Sequence, residues 1–75
     1  MKRLSVVRRS RGWSKNELAR KASLHPALVG QIESGRFLPY SVQLIRLARA
    51  LDWPVGEADE LLEEVQDSER SYERL

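Results

Sequence analysis

Glycine and proline residues divide this sequence into short stretches, and their spacing constrains the fold more than any other feature. Breaks fall at Gly12, at Gly35 and Pro39, and at Pro54 and Gly56. The stretches are long enough for two or three helical turns, and few of them alternate apolar and polar residues as strands do. A chain of 75 residues has room for one domain with a thin core. The sequence therefore predicts an all-α domain built from five short helices.

The second predicted helix has the clearest start signal. Ser14 and Glu17 have the spacing of a capping box, in which each side chain accepts a hydrogen bond from the backbone of the other residue. Trp13 before the cap and Leu18 in the first turns form a hydrophobic staple. These features predict a helix from Ser14 to about Ala22.

The next two helices follow from a proline and from an apolar repeat. Pro26 suits the first position of a third helix, with His25 as its N-cap and Gly35 just beyond its end. A fourth helix is predicted from Ser41 to Leu51, where apolar residues recur with helical spacing at Leu44, Leu47, Ala48 and Leu51.

Charge is distributed unevenly along the chain. Residues 1–50 contain eleven Lys and Arg against two acids, a formal charge of +9, whereas residues 51–75 contain nine acids and two arginines, a charge of −7. A basic body beside an acidic segment is typical of a protein that binds a polyanion. The alternative is a charged surface that is only solvated.

Several classes of function are disfavoured by residues that the sequence lacks. There is no cysteine and a single histidine, His25, so disulfides and zinc sites are not expected. No apolar run is long enough to cross a membrane, and the first residues lack the core of a signal peptide, so a cytoplasmic protein is expected. We expect no cofactor and no enzymatic activity, since the domain is too small for a deep catalytic pocket.

Three segments occur in an order that belongs to a known family. They are Arg11-Gly12-Trp13-Ser14-Lys15-Asn16-Glu17-Leu18-Ala19, Val29-Gly30-Gln31-Ile32-Glu33-Ser34-Gly35 and Leu44-Ile45-Arg46-Leu47-Ala48-Arg49-Ala50-Leu51. Together they resemble the Cro/lambda-repressor-like helix-turn-helix (XRE) family over about residues 4–65. The resemblance implies a five-helix fold with a recognition helix over residues 26–34. It also implies a transcriptional regulator, expected to be a repressor that binds a (pseudo)palindromic operator in double-stranded DNA as a homodimer.

The resemblance also indicates which residues contact DNA. Pro26, Ala27 and Leu28 are apolar where the family often has polar side chains, so they can contact only thymine methyl groups or exclude water. Hydrogen-bonded readout of bases then falls on Gln31 and His25, with the alternatives that Gln31 is only an exposed helix residue and His25 only a helix cap. The expected DNA-binding residues are Lys15, His25, Ala27, Leu28, Gln31, Arg36 and Arg11, of which Lys15, Arg36 and Arg11 are expected on phosphates.

Three further residues have structural rather than DNA-binding roles by the same resemblance. Arg8 on the first helix is expected to pair with Glu33 near the end of the recognition helix. Ser23 occupies a turn position that is often glycine in the family, so we expect some backbone strain there.

A fifth helix is predicted to begin near Gly56 and to reach Val65. Its apolar positions continue as a 4-3-4-3 spacing at Leu61, Val65, Ser68, Tyr72 and Leu75, which resembles a short coiled-coil seam. We therefore expect a homodimer through the C-terminal helix, with residues 1–66 as the helix-turn-helix domain. Residues 67–75 are expected to be an acidic tail that extends the last helix or frays after Gln66.

A rival hypothesis uses the same apolar surface differently. Pro26, Ala27 and Leu28 could bind another regulatory protein instead of DNA, because exposed apolar patches often mark protein contacts. The basic character of the first fifty residues favours DNA.

Overall fold

The computed structural model describes residues 1–66 and contains five helices in that part of the chain. They are α1 (Arg3–Ser10), α2 (Lys15–Ala22), α3 (Pro26–Glu33), α4 (Ser41–Ala50) and a 3₁₀ helix (Val55–Leu62). The only β pairing among these residues is an isolated antiparallel bridge between Lys2 and Glu64. The predicted all-helical fold is confirmed. The predicted acidic tail, residues 67–75, lies outside the described residues.

The core draws apolar side chains from every helix. The buried members of this core are Leu4, Leu18, Ala19, Ala22, Val29, Ile32, Leu47, Ala48, Leu51, Ala58 and Leu61. Trp13, Leu24, Leu28 and Leu44 are half-buried and pack against this cluster. The helices are short, so the fold is held by packing of these apolar faces rather than by helix propensity alone.

The predicted capping box of α2 is present. The Ser14 hydroxyl accepts from the Glu17 amide at 3.1 Å, and the Glu17 carboxylate accepts from the Ser14 amide at 3.2 Å. Helix α2 ends at Ser23, which is left-handed with φ 59° and ψ 44°. The Leu24 amide then donates to the Ala19 carbonyl at 2.8 Å and closes the turn that leads into α3.

The left-handed backbone of Ser23 yields a stability prediction. A residue with a Cβ is strained by roughly 1–2 kcal/mol in this conformation, and glycine avoids that strain while losing more backbone entropy on folding. We expect Ser23→Gly to raise the free energy of unfolding by up to about 1 kcal/mol, measured as a higher midpoint in thermal or urea unfolding. Ser34→Gly is the control, because Ser34 has φ −83° and should lose stability. Equal losses in both variants would contradict the assignment of strain to Ser23.

The fifth helix differs from the prediction in type and in length. It is a 3₁₀ helix with a break at Glu57 (φ −116°, ψ 20°), and Glu63 beyond its end is extended at ψ 142°. The extended segment after it pairs with the N-terminal residues: Arg3 N donates to Glu63 O and Val65 N donates to Met1 O, both at 2.8 Å. Through these bonds, residues 63–65 pair their backbone groups with the N-terminal segment, whereas in a continuing helix the bonds would have formed within the helix.

Ion pairs reinforce the pairing of the two segments. Lys2 Nζ lies 3.2 Å from Glu64 and Arg3 Nη1 lies 3.0 Å from Glu63. The hydrogen bond from Lys2, with a second from the N-terminal amino group, lowers the pKa of the Glu64 carboxyl below its usual value. Both acids are exposed, so these pairs fix the register of the segment more than they stabilise the fold.

The predicted dimer seam is wrong at its first two positions. Leu61 is fully buried within the monomer, and Val65 is 9% exposed. The backbone between them is extended at Glu63, so one helix does not carry both side chains on one face. Ser68, Tyr72 and Leu75, the other members of the seam, lie outside the described residues.

Candidate nucleic-acid interface

An ion pair anchors α3 to α1. Arg8 Nε donates to Glu33 Oε2 at 2.7 Å, and Arg8 Nη2 donates to Glu33 Oε1 at 3.0 Å. The third nitrogen, Nη1, donates to the Trp13 carbonyl at 2.9 Å. The two side chains are 7% and 6% exposed. The pair, which the resemblance implied, is bidentate and fixes the orientation of α3. The Glu33 carboxylate is thereby bonded within the domain.

Helix α3 begins with a histidine cap. His25 Nδ1 accepts from the Ala27 amide at 3.1 Å, and Pro26 occupies the first helical position. A neutral imidazole that accepts at Nδ1 carries its proton on Nε2. His25 is exposed, so its cap role leaves Nε2 as a donor toward a ligand.

The two faces of α3 differ in burial. Val29 and Ile32 are fully buried in the core, whereas Ala27 and Gln31 are exposed. Leu28, expected to contact DNA, is half-buried and packs against the core. Its apolar character therefore serves packing in the first place, because Leu28 lies four residues before the buried Ile32 and so is next to it on the helix surface.

Two exposed cations lie at the start of α2 and just beyond the end of α3. Lys15 is the first residue of α2, and Arg36 follows the end of α3. Both are exposed, and within residues 1–66 neither side chain has an ion-pair or hydrogen-bond partner. Lys15 is in the first turn of α2, at the positive end of the helix dipole, so its charge and the dipole both attract an anion there.

Arg11, the third cation expected on a phosphate, has partners within the domain. Its Nη2 donates to the carbonyl of Leu51, the residue that caps α4, and its guanidinium lies 5.8 Å from the centre of the Trp13 ring. The sequence placed Arg11 at the right point in the chain but could not indicate that a carbonyl forty residues away occupies it.

A second group of cations lies between α2 and α4, and two of its members, Arg46 and Arg49, were not singled out from the sequence. Lys21, Arg46 and Arg49 line an open cleft of about 330 Å³ between α2 and α4. Arg46 Nη1 reaches the Ser23 carbonyl at 3.5 Å. Lys21 and Arg49 lie in the last turns of α2 and α4, where cations offset the helix dipole, and this is the local signal for those two residues.

The arrangement of helices matches a known family. A family model described as a helix-turn-helix domain matches residues 2–61, which is most of the chain. The chain belongs to this family. Helices α2 and α3, joined by the turn at Ser23 and Leu24, are the two helices of its motif, and the match agrees with the resemblance to the Cro/lambda-repressor type. This helix-turn-helix domain thereby presents α3, with its exposed N-terminal end, as the recognition helix of a DNA-binding regulator.

No curated protein and no solved structure matches the chain. Within residues 1–66, no helix is long and apolar enough to span a membrane. The same part of the chain contains no group of three or more His, Cys, Asp or Glu side chains arranged to hold a metal ion.

Proposed function

We propose that this helix-turn-helix domain is a sequence-specific repressor that binds a (pseudo)palindromic operator in double-stranded DNA as a homodimer. The observation that carries the proposal is that Lys15, at the start of α2, and Arg36, just beyond the end of α3, are exposed and have no ion-pair or hydrogen-bond partner within residues 1–66. Two such cations at the ends of a helix-turn-helix motif fit contacts to the phosphate backbones that border a major groove. A DNA partner also agrees with the cytoplasmic location expected from the sequence.

In the proposed complex, phosphate contacts hold the protein and base contacts select the sequence. Lys15 and the first amides of α2 bind one backbone, and Arg36 binds the other. Gln31 is exposed on α3 and can pair through its amide with adenine N6 and N7, which is worth about 1–3 kcal/mol of discrimination. His25 supplies an Nε2–H donor at the start of the same helix.

The proposed homodimer requires a surface other than Leu61 and Val65. The most exposed large hydrophobic side chains of residues 1–66 come soon after α3, and they are Leu38 (76%), Tyr40 (69%) and Val42 (59%). They follow α3 along the chain, so an interface there would set the distance between two recognition helices.

Selection from random duplexes tests the proposal. Purified protein should enrich an inverted repeat whose half-sites are about 10 base pairs apart, centre to centre. Sedimentation of the protein with the enriched duplex should then give two chains per duplex. Failure to enrich any motif would contradict sequence-specific binding, and a single half-site bound by one chain would contradict the homodimer.

The rival proposal is a protein-interaction module that binds a regulatory protein through the start of α3. The exposure of Pro26 and Ala27 favours it, but the burial of part of Leu28 leaves a smaller apolar surface than expected. Replacing Lys15 and Arg36 separates the two proposals: DNA binding depends on these cations, whereas an apolar protein contact does not.

A further inference from the structure

Gly30 lies in the interior of α3, and no contact among residues 1–66 requires a glycine there. A Cβ built at Gly30 meets no atom within 4 Å among residues 1–66, and its φ is not in the left-handed region. Gly12 and Gly35, by contrast, have φ of 74° and 82°, where glycine is favoured. Glycine in a helix interior destabilises the helix relative to alanine. An isolated glycine of this kind is expected where a ligand approaches the backbone closely.

Gly30 shares its helix face with Ala27 and Gln31. These residues have the i, i+3 and i+4 spacing that aligns side chains on one side of a helix. Val29 and Ile32 hold the opposite side in the core. Apart from Gln31, this outward face therefore carries only a methyl group at Ala27 and a hydrogen atom at Gly30. The α3 backbone can come closer to a partner there than a larger side chain would allow.

Polar readout is scarce on the same face. Pro26 and Ala27 have no side-chain hydrogen-bond donors or acceptors, and His25 uses Nδ1 to cap the Ala27 amide. In the major groove, the 5-methyl group of thymine is the apolar feature among the donors and acceptors of the base edges. An apolar, closely approaching helix surface therefore matches this methyl group better than any other base-edge feature.

We propose that Ala27 and Gly30 determine specificity by reading pyrimidine 5-methyl groups, with Gly30 allowing the close approach that brings the Ala27 methyl into contact. This inference rests on the proposed DNA-binding function. It predicts that each half-site has a thymine in contact with Ala27. The adenine paired with this thymine is then available to the Gln31 amide in the same region of the groove. Cytosine at the contacted position presents no methyl group and leaves the apolar surface without a contact.

Replacing thymine with deoxyuridine tests the methyl contact directly, since it removes the methyl group and keeps every hydrogen-bonding atom. The probe is the duplex enriched in the selection experiment, with each thymine replaced singly by deoxyuridine. We expect Kd to rise about fourfold at one or two positions in each half-site, from the burial of one methyl-sized group at about 0.8 kcal/mol. Replacements elsewhere in the duplex are the controls and should leave Kd unchanged.

The Gly30→Ala variant tests the close approach, with effects of opposite sign on folding and on binding. We expect its melting temperature to rise by a few degrees, because alanine favours the helix and its methyl group meets open space. We expect its affinity for the enriched duplex to fall about tenfold, because the added methyl group holds α3 away from the bases. Gly56→Ala is the matched control: a Cβ there also meets nothing within 4 Å, and it lies in the 3₁₀ helix, so DNA affinity should not change.

The outcomes separate this inference from the function on which it rests. Equal Kd values for all deoxyuridine duplexes, or full DNA affinity in Gly30→Ala, would overturn the methyl-reading role while sequence-specific binding stands. Enrichment of no motif at all would refute the proposed function and the inference with it.

Discussion

Replacing Glu33 with alanine is expected to lower the free energy of unfolding by about 3–5 kcal/mol, because it leaves the buried Arg8 guanidinium without its counter-ion. Only the Trp13 carbonyl would then accept from Arg8. Small domains have total stabilities of about 5–15 kcal/mol, so the loss is a large fraction of the stability that such a domain has. Urea unfolding followed by circular dichroism measures the loss.

A double-mutant cycle distinguishes loss of the pair from loss of packing. Arg8→Met and Glu33→Leu keep the volume of each side chain while removing its charge. Each single variant leaves one buried charge alone, whereas the double variant leaves none, so the double loss should be well below the sum of the single losses. Additive losses, or a Glu33→Ala variant within about 1 kcal/mol of the parent protein, would contradict a structural role for the pair.

The second large effect is expected on DNA binding. Lys15→Gln combined with Arg36→Gln should raise Kd for the enriched duplex by at least tenfold. The dependence of log Kd on log salt should become shallower by about one for each phosphate that the bound dimer no longer neutralises. Both side chains are exposed and unpartnered within residues 1–66, so the melting temperature should not change. Fluorescence anisotropy over a range of salt concentrations measures both the affinity and its salt dependence.

The cations of the α2–α4 cleft supply the matched control. Arg46→Gln combined with Arg49→Gln removes the same charge from α4, in the cleft between α2 and α4. If Lys15 and Arg36 contact phosphates, their replacement should weaken binding much more than replacement of the α4 pair. Equal effects would mean that overall charge, rather than binding at these two sites, holds the DNA.

Helices α2, α3 and α4 could be predicted from the sequence because their signals are local. The capping box at Ser14 and Glu17, and Pro26 at the start of α3, act through bonds or ring geometry within a few residues. The apolar repeat that ends at Leu51 predicts α4 because it requires only that one face of the helix packs against the core. In each case the predicted start and the predicted end lie within one residue of those in the structure.

The errors of prediction come from contacts between residues distant in the chain. The acidic segment with Ala58, Leu61 and Val65 has helical spacing, but Val65 is placed by pairing with Met1 rather than by a helix. The phosphate contact of Arg11 stays a prediction, but the bond from its guanidinium to the Leu51 carbonyl could not be read from the sequence. Leu28 looked like a surface residue on α3 because the tilt of that helix against the core cannot be read from its own sequence.

The pairing of Met1 and Arg3 with Val65 and Glu63 has a consequence for the order of folding. It joins residues about sixty positions apart, so forming it closes a loop that includes α1 to α4, and the entropy of that closure opposes its formation in an early intermediate. The helix-turn-helix motif has mostly short-range contacts and can assemble first, with the terminal pairing completing the domain last. Amide exchange at Arg3 and Val65 would then report a cooperative unit that opens before the motif does.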